Sequence, residues 1–374
     1  MTREALLVLG PHRGGTSAVA GLLVRLGAAA PRTLMAADAE NPAGYWESAA
    51  LCEFHERLLH AFGTRWDAFT RLATDRLRSA MSDGLGEECR RVFRTEFGDS
   101  PRFVLKDPRI CRFVPFWLHI LEVEGILPAA VLVLRSPGDV ARSLAARNEF
   151  EPEVSLLIWL RHVLDAESDT RATRRTFVRY HDVLESWPSV AERLAQDLQS
   201  SWPARAAADA ADIDRFVNRS LCHHRGNPYA EDVAPMLVDW TRRAWDALGW
   251  LHERDPRRAR EAFAALDAVR AELDRNTSVL GDVRDRVHDS LKGEVDRLRS
   301  HAIALEAVRK ELQNRIEVLE READLFRQNV GALQQNDVAL QHEVSAARAD
   351  AEALRKSGSW RVTAPLRAVY RIFR

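Results

Sequence analysis

Residues 5–17 read Ala5-Leu6-Leu7-Val8-Leu9-Gly10-Pro11-His12-Arg13-Gly14-Gly15-Thr16-Ser17. The first five are apolar without alternation, the pattern of a strand buried on both faces of a parallel sheet. Ala18 to Leu26 then follow helical spacing, closed by Gly27. Strand, Gly-rich loop and helix in that order make a phosphate cradle, in which backbone N–H groups and the helix N-terminus face an anion. The spacing of Gly10, Gly15, Thr16 and Ser17 nearly copies a Walker A loop, but Thr16 stands at the Lys position. An NTPase needs that Lys on its terminal phosphates, and no metal-binding acid at a strand end follows. The loop is therefore expected to hold one phosphate group, with Arg13 supplying positive charge. A Gly-rich turn of this kind also occurs for topology alone.

Two more segments have the same grammar. Ala129 to Leu134 is apolar and ends in Arg135-Ser-Pro-Gly-Asp139, after which Val140, Ala141, Ser143 and Leu144 mark a helix. Arg135 at the strand end and Ser143 two turns into the helix can converge on one anion at the carboxyl edge of an open α/β sheet. Phe103-Val-Leu-Lys106-Asp-Pro-Arg109 is a shorter strand that releases Lys106 into a turn at the same edge. Alone, each reads equally as a capped or salt-bridged turn.

Together these elements resemble the PAPS-dependent sulfotransferases, specifically the bacterial branch with an Arg-type first loop. The matching words are His12-Arg-Gly-Gly-Thr-Ser17, Asn41-Pro-Ala-Gly-Tyr-Trp-Glu47, Lys106-Asp-Pro-Arg-Ile-Cys111 and Arg135-Ser-Pro-Gly-Asp-Val-Ala-Arg-Ser143. The resemblance covers roughly residues 4 to 250. It implies that Arg13, Gly14, Gly15, Thr16 and Ser17 hold the 5′-phosphosulfate and that Arg135 and Ser143 hold the 3′-phosphate. Gly14 stands where Ser is common, which removes a hydroxyl but not the backbone cradle.

Sulfuryl transfer needs a cation where charge grows on the bridging oxygen, since such a contact stabilises the transition state more than the ground state. Arg13 is the first candidate and Lys106 the second. A base must take the acceptor proton. Glu47 is the choice, because related Arg-loop enzymes use a Glu downstream of this loop and Tyr45 and Trp46 beside it offer desolvation. His12 is the rival base, and His55 a weaker one. A helix-start acid that caps its own first turn is the plain alternative for Glu47. His223 and His224 lack partners at metal-like spacing and read as contacts of a closing segment.

Beyond residue 250 the character changes. From 255 to 356, Trp is absent, Pro does not recur after Pro256, and apolar residues alternate in steps of three and four from Val295 to Leu354. That repeat predicts a coiled coil and self-association, with polar interruptions at Arg309 and Asp337. Leu266, Val269, Leu273, Leu280, Val283 and Val287 follow the same rule, and a register break near Gly293 predicts a kink or a stutter. A continuous helix would run about 150 Å at 1.5 Å per residue. Residues 357–374 are basic, with Leu366, Val369, Tyr370 and Phe373 on one face, a composition suited to an anionic membrane surface. The run Ser359-Trp-Arg-Val-Thr-Ala-Pro-Leu-Arg367 looks like the C-terminal tails of some bacterial surface-polysaccharide glycosyltransferases.

The expectation is an α/β fold, a P-loop-like parallel sheet flanked by helices at 1–250, followed by a coiled-coil arm at 255–356 and a tail at 357–374. The expected function is transfer of a sulfuryl group from PAPS, leaving as PAP, to a hydroxyl on a carbohydrate or surface polysaccharide, without metal. A P-loop nucleotide or sugar kinase is the alternative, as is a non-catalytic scaffold with a degenerate nucleotide fold. Lys plus Arg number 54 against 55 acids, so no global field draws the chain to nucleic acid. Four scattered Cys without a CxxC pair suit a reducing cytoplasm, and the inner membrane face is the expected docking place. No apolar run approaches the roughly 20 residues of a membrane helix.

Overall fold

The computed structural model describes residues 3–38, 41–73, 75–77, 81, 84–202, 207–217, 233–363 and 365–367. In chain order the first half runs β1 (Glu4–Leu9), α1 (Thr16–Arg25), α2 (Ala49–Ala61), α3 (Leu85–Phe97), β2 (Arg102–Lys106), α4 (Val114–Val123) and β3 (Leu127–Leu134). It continues through α5 (Pro137–Asn148), α6 (Pro152–Asp169), β4 (Arg174–Arg179), α7 (Tyr180–Asp197), α8 (Ala207–Phe216), α9 (Pro235–Glu253), α10 (Pro256–Lys356) and the short α11 (Gly358–Val362). The four strands form one sheet in the order β2-β1-β3-β4, every neighbouring pair parallel. The expected class, a parallel sheet flanked by helices with a long helix after it, is the one observed.

The unbroken apolar runs follow from burial on both faces. Ala5, Leu7 and Leu9 join one core with Phe54, Phe93 and Trp117. Leu6 and Val8, pointing the other way, join a second core with Val19, Leu22 and Leu23 of α1. The register pairs Val8 with Lys106, Leu9 with Leu132 and Leu134 with Arg179, so the strand ends meet at one edge. From β1 the chain leaves toward β2, and from β3 it leaves toward β4. The adjacent strands β1 and β3 therefore diverge in their onward connections, which makes their carboxyl ends the crevice where open α/β sheets take ligands.

Strand β4 was not legible in the sequence. It reads Arg174-Arg-Thr-Phe-Val-Arg179, and only Thr176, Phe177 and Val178 are buried. The edge position explains this: Arg174 bonds Glu4 Oε1 at 2.9 Å, and Arg175 bonds the Glu167 carbonyl at 2.7 Å.

The expected boundary at 250–255 is not where the packing divides. One compact unit spans Met1–His288 and a second spans Asp289–Arg374. The first turns of α10 belong to the α/β core, where Ala262, Leu266, Val269 and Leu273 are buried. Three of the chain's own ion pairs fix them: Asp267 with Arg171, Glu272 with Arg243, and Asp274 with the buried Arg161. The helix is unbroken through Gly293, where a kink was expected. In the second unit α10 exposes its large apolar residues, and α11 is capped by Ser357. Val369, Tyr370 and Phe373 lie outside the described residues, as do His223 and His224. Among the described residues no helix is long and apolar enough to cross a membrane.

Because Leu266 is fully buried, Leu266→Ala should destabilise the α/β unit by about 2–5 kcal/mol, the usual cost of emptying a core leucine. Denaturant unfolding of the full chain, followed by tryptophan fluorescence, measures it. No loss of stability would mean that α10 does not pack there.

Candidate active site

All four strands supply a piece of the site at their carboxyl ends. The loop after β1 crosses closely over β3: a Cβ on Gly10 would lie 3.1 Å from the Val133 carbonyl oxygen. Its turn closes with the Gly14 N–H donating to the Pro11 carbonyl at 2.9 Å. Arg13 (φ 64°) and Gly15 (φ 85°) are both left-handed. Such a conformation is uncommon for Arg, and strain of this kind clusters at ligand clamps. At Gly15 only glycine fits, since a Cβ would lie 2.3 Å from Cδ2 of Tyr180, the residue that follows β4. Helix α1 starts at Thr16 with no side-chain cap and no acid in its first turn. Its leading amides are thus left for an anion.

Lys106 ends β2, almost fully buried. Its ammonium donates to Ser17 Oγ at 3.2 Å, to the Tyr45 carbonyl at 2.9 Å and to Glu47 Oε1. Between those last two partners Trp46 is left-handed (φ 60°), which turns both toward the same nitrogen. The other Glu47 oxygen accepts from the Cys52 thiol at 3.2 Å. Burial, then Asp107 and Glu47, push that thiol's pKa up, so it stays a donor. Ser17 Oγ also receives Asn41 Nδ2 at 3.3 Å.

Arg135, after β3, donates to the Arg13 carbonyl at 2.8 Å and lies 5.0 Å above the Tyr180 ring. Arg13 in turn donates from Nε to Ser143 Oγ at 2.8 Å. Arg13 therefore belongs as much to Arg135 and Ser143 as to the loop that carries it. One cavity is lined by His12, Arg13, Gly15, Thr16, Ser17, Glu47, Lys106 and Arg135. Gly14 lies behind it against Pro11, and Ser143 is reached through Arg13. Asn41, Tyr45, Arg147 and Tyr180 also line the cavity; the sequence suggested only a desolvating role for Tyr45 beside Glu47 and none for the other three. Asn41 and Tyr45 stood inside a quoted motif. Arg147 follows Ser143 by four residues, one helical turn, and Tyr180 was hidden with β4.

His12 is buried, its ring 4.3 Å from that of Trp66, and among the described residues its Nε2 has no hydrogen-bond partner. Burial, then Arg109 and His162, hold its pKa well below 6.5. His162, 6.1 Å away, donates Nδ1–H to the Ile158 carbonyl at 2.8 Å and is pushed down to about 3 by burial and then Arg112. Both imidazoles are neutral at pH 7. Beneath the site Asp107 accepts from His55 Nδ1 at 2.7 Å and from Arg109. Burial alone would raise its carboxyl, but Arg109 and His55 outweigh it and hold it well below the usual range. His55 is closed off, since its Nε2 accepts from Trp117 at 3.0 Å. Glu47, Cys52 and Asp107 bring potential ligand atoms within 4.8 Å of one another, but Lys106 and Arg109 already serve the two carboxylates.

No family model matches the chain. No curated protein matches it either. Among solved structures it is similar to the sulfotransferase domain from the curacin biosynthetic pathway, at 11% identity and TM-score 0.38, over 64% of this chain and 96% of that one. It is also similar to the sulfotransferase domain from the Synechococcus PCC 7002 olefin synthase, at 14% identity and TM-score 0.36, over 65% and 89% of the two chains.

The buried neutral histidines predict acid lability. A folded-state pKa below the unfolded value means that the unfolded chain binds more protons, so stability falls as pH drops through 6.5. For His162, lowered to about 3, going from pH 7 to pH 5 removes about 2 kcal/mol, and His12 acts in the same direction. His162→Gln should flatten the dependence of the unfolding midpoint on pH in this window. An unchanged slope would mean that the imidazole is not buried neutral.

Proposed function

We propose that the chain is a sulfotransferase moving a sulfuryl group from PAPS to an acceptor hydroxyl on a carbohydrate. The observation that carries this reading is the position of Lys106. P-loop kinases use the hydroxyl equivalent to Ser17 to hold Mg²⁺. Here the Ser17 hydroxyl is bonded to an ammonium delivered from β2. A cation that the chain itself supplies beside the loop suits a transfer that needs no divalent metal.

The residues fit a donor with two anionic ends. Loop amides of Gly15 to Ser17 and the start of α1 would hold the phosphosulfate, with Gly14 closing the turn behind them, and Arg135 with Arg13 and Ser143 would hold the 3′-phosphate. When bound, PAPS supplies the sulfuryl group and an oxygen that gathers charge as the bond breaks. Lys106 is the cation we assign to that oxygen through its charge, since its three N–H groups serve Ser17, Tyr45 and Glu47 and Arg13 turns toward Ser143. Glu47, first choice for the base from sequence, has both oxygens engaged and instead orients Lys106. His12 also lines the cavity, and its Nε2 has no hydrogen-bond partner among the described residues, so it is the group assigned to take the acceptor proton. An anionic donor one residue away opposes the cations that weaken its basicity.

Calorimetry of the full chain with PAP in the absence of Mg²⁺ should detect binding. Arg135→Ala should weaken it about ten- to a hundredfold, the worth of a charge-assisted contact. His12→Ala should keep PAP affinity while turnover falls by roughly 10²-fold or more, and Glu47→Gln should cost less. The reverse order would return the base to Glu47. Binding of ATP that requires Mg²⁺ would favour a kinase, and no nucleotide binding at all would favour a scaffold.

A further inference from the structure

Among the described residues the second unit exposes a long apolar series. From Val295 to Leu354, nine a and nine d positions of a heptad follow one another without a slip. Large apolar side chains in this series are 38–69% exposed. Seven of the nine d positions are Leu, and Val295, Ile316, Val330 and Val344 stand at a. β-Branched residues at a with Leu at d favour two parallel strands over three or four.

The flanking charges select the partner and its direction. In a parallel in-register pair, each g residue faces the partner's e residue five positions on. That rule sets Glu294 against the partner's Arg299, Arg315 against the partner's Glu320, and Glu322 against the partner's Arg327. Farther along it sets Glu343 against the partner's Arg348 and Asp350 against the partner's Arg355. All five pairs are opposite in sign, and none of the remaining g–e pairs sets like charges together. An antiparallel pair over the same span faces e with e and g with g. It uses none of these pairs and places Arg299 beside the partner's Arg348. We infer that residues 294–355 form a parallel, in-register, two-stranded coiled coil with a second copy of this chain.

Arg309 and Asp337, at a positions, meet their own copies in this register. The long Arg stem reaches water from such a position, and Asp337 is a local cost that the other layers offset. Setting Arg309 against the partner's Asp337 instead would require a slip of 28 residues, abandoning four heptads. The register that keeps the apolar seam whole is therefore the one the g and e charges favour.

Light scattering and sedimentation equilibrium on the full chain should give twice the chain mass at micromolar concentration. Glu343→Arg alone and Arg348→Glu alone should each raise the dimer dissociation constant roughly tenfold, because two symmetric attractions become repulsions. The double variant should return to within about twofold of the parent. These positions are solvent-exposed, so the variants should fold. A monomeric or trimeric parent overturns the inference. So does a tighter dimer with Arg348→Glu alone, the antiparallel signature, or a double variant that fails to recover.

Discussion

A buried ammonium governs the site. Lys106 sits almost out of reach of water, where a charge without partners is costly. Glu47 and the Tyr45 carbonyl from one segment and Ser17 from another converge on it and offset that cost. The demand accounts for features that otherwise look unrelated. Trp46 is left-handed so that residues 45 and 47 face one nitrogen. Cys52 stays a thiol so that it can donate to the second Glu47 oxygen. Ser17 is drawn to β2, which fixes the first turn of α1 beside the loop.

The same low dielectric has opposite consequences for neighbouring groups. Lys106 and Arg109 bring charge and take a carboxylate each. His12 and His162 are neutral because burial first, and neighbouring cations second, lower their pKa values more than Asp107 raises them. One cavity thus gathers Arg13, Lys106 and Arg135 together with the neutral imidazole of His12.

That distinction also explains how much the sequence could tell. The loop, Lys106 and Arg135 were legible because each follows an apolar run that has no other use than a buried parallel strand, and a strand end at one edge is a fixed address. Tyr180 was not legible, because β4 is an edge strand whose arginines break the apolar pattern. Nor were the surroundings of Glu47 and His12. Residue type and spacing mark both as candidate bases, whereas only the fold shows that Glu47 has both oxygens engaged by Lys106 and Cys52 and that His12 Nε2 has no hydrogen-bond partner among the described residues. Pairing across segments 59 residues apart leaves no periodic trace.

Helix α10 carries the same lesson in its own length. Leu266, Val269 and Leu273 repeat at the spacing that Leu312, Ile316 and Leu319 use, and a heptad rule reads the two stretches alike. Their fates differ: the first three are buried in the α/β core, the second three are exposed. What separates them is the company of charges. Asp267, Glu272 and Asp274 find Arg171, Arg243 and Arg161 on α9 and at the end of α6 or within it, an arrangement made by the fold. The charges beside Leu312 to Leu319 instead complement their own sequence five residues on. Apolar period defines a face; the charges along its margins define what the face is for.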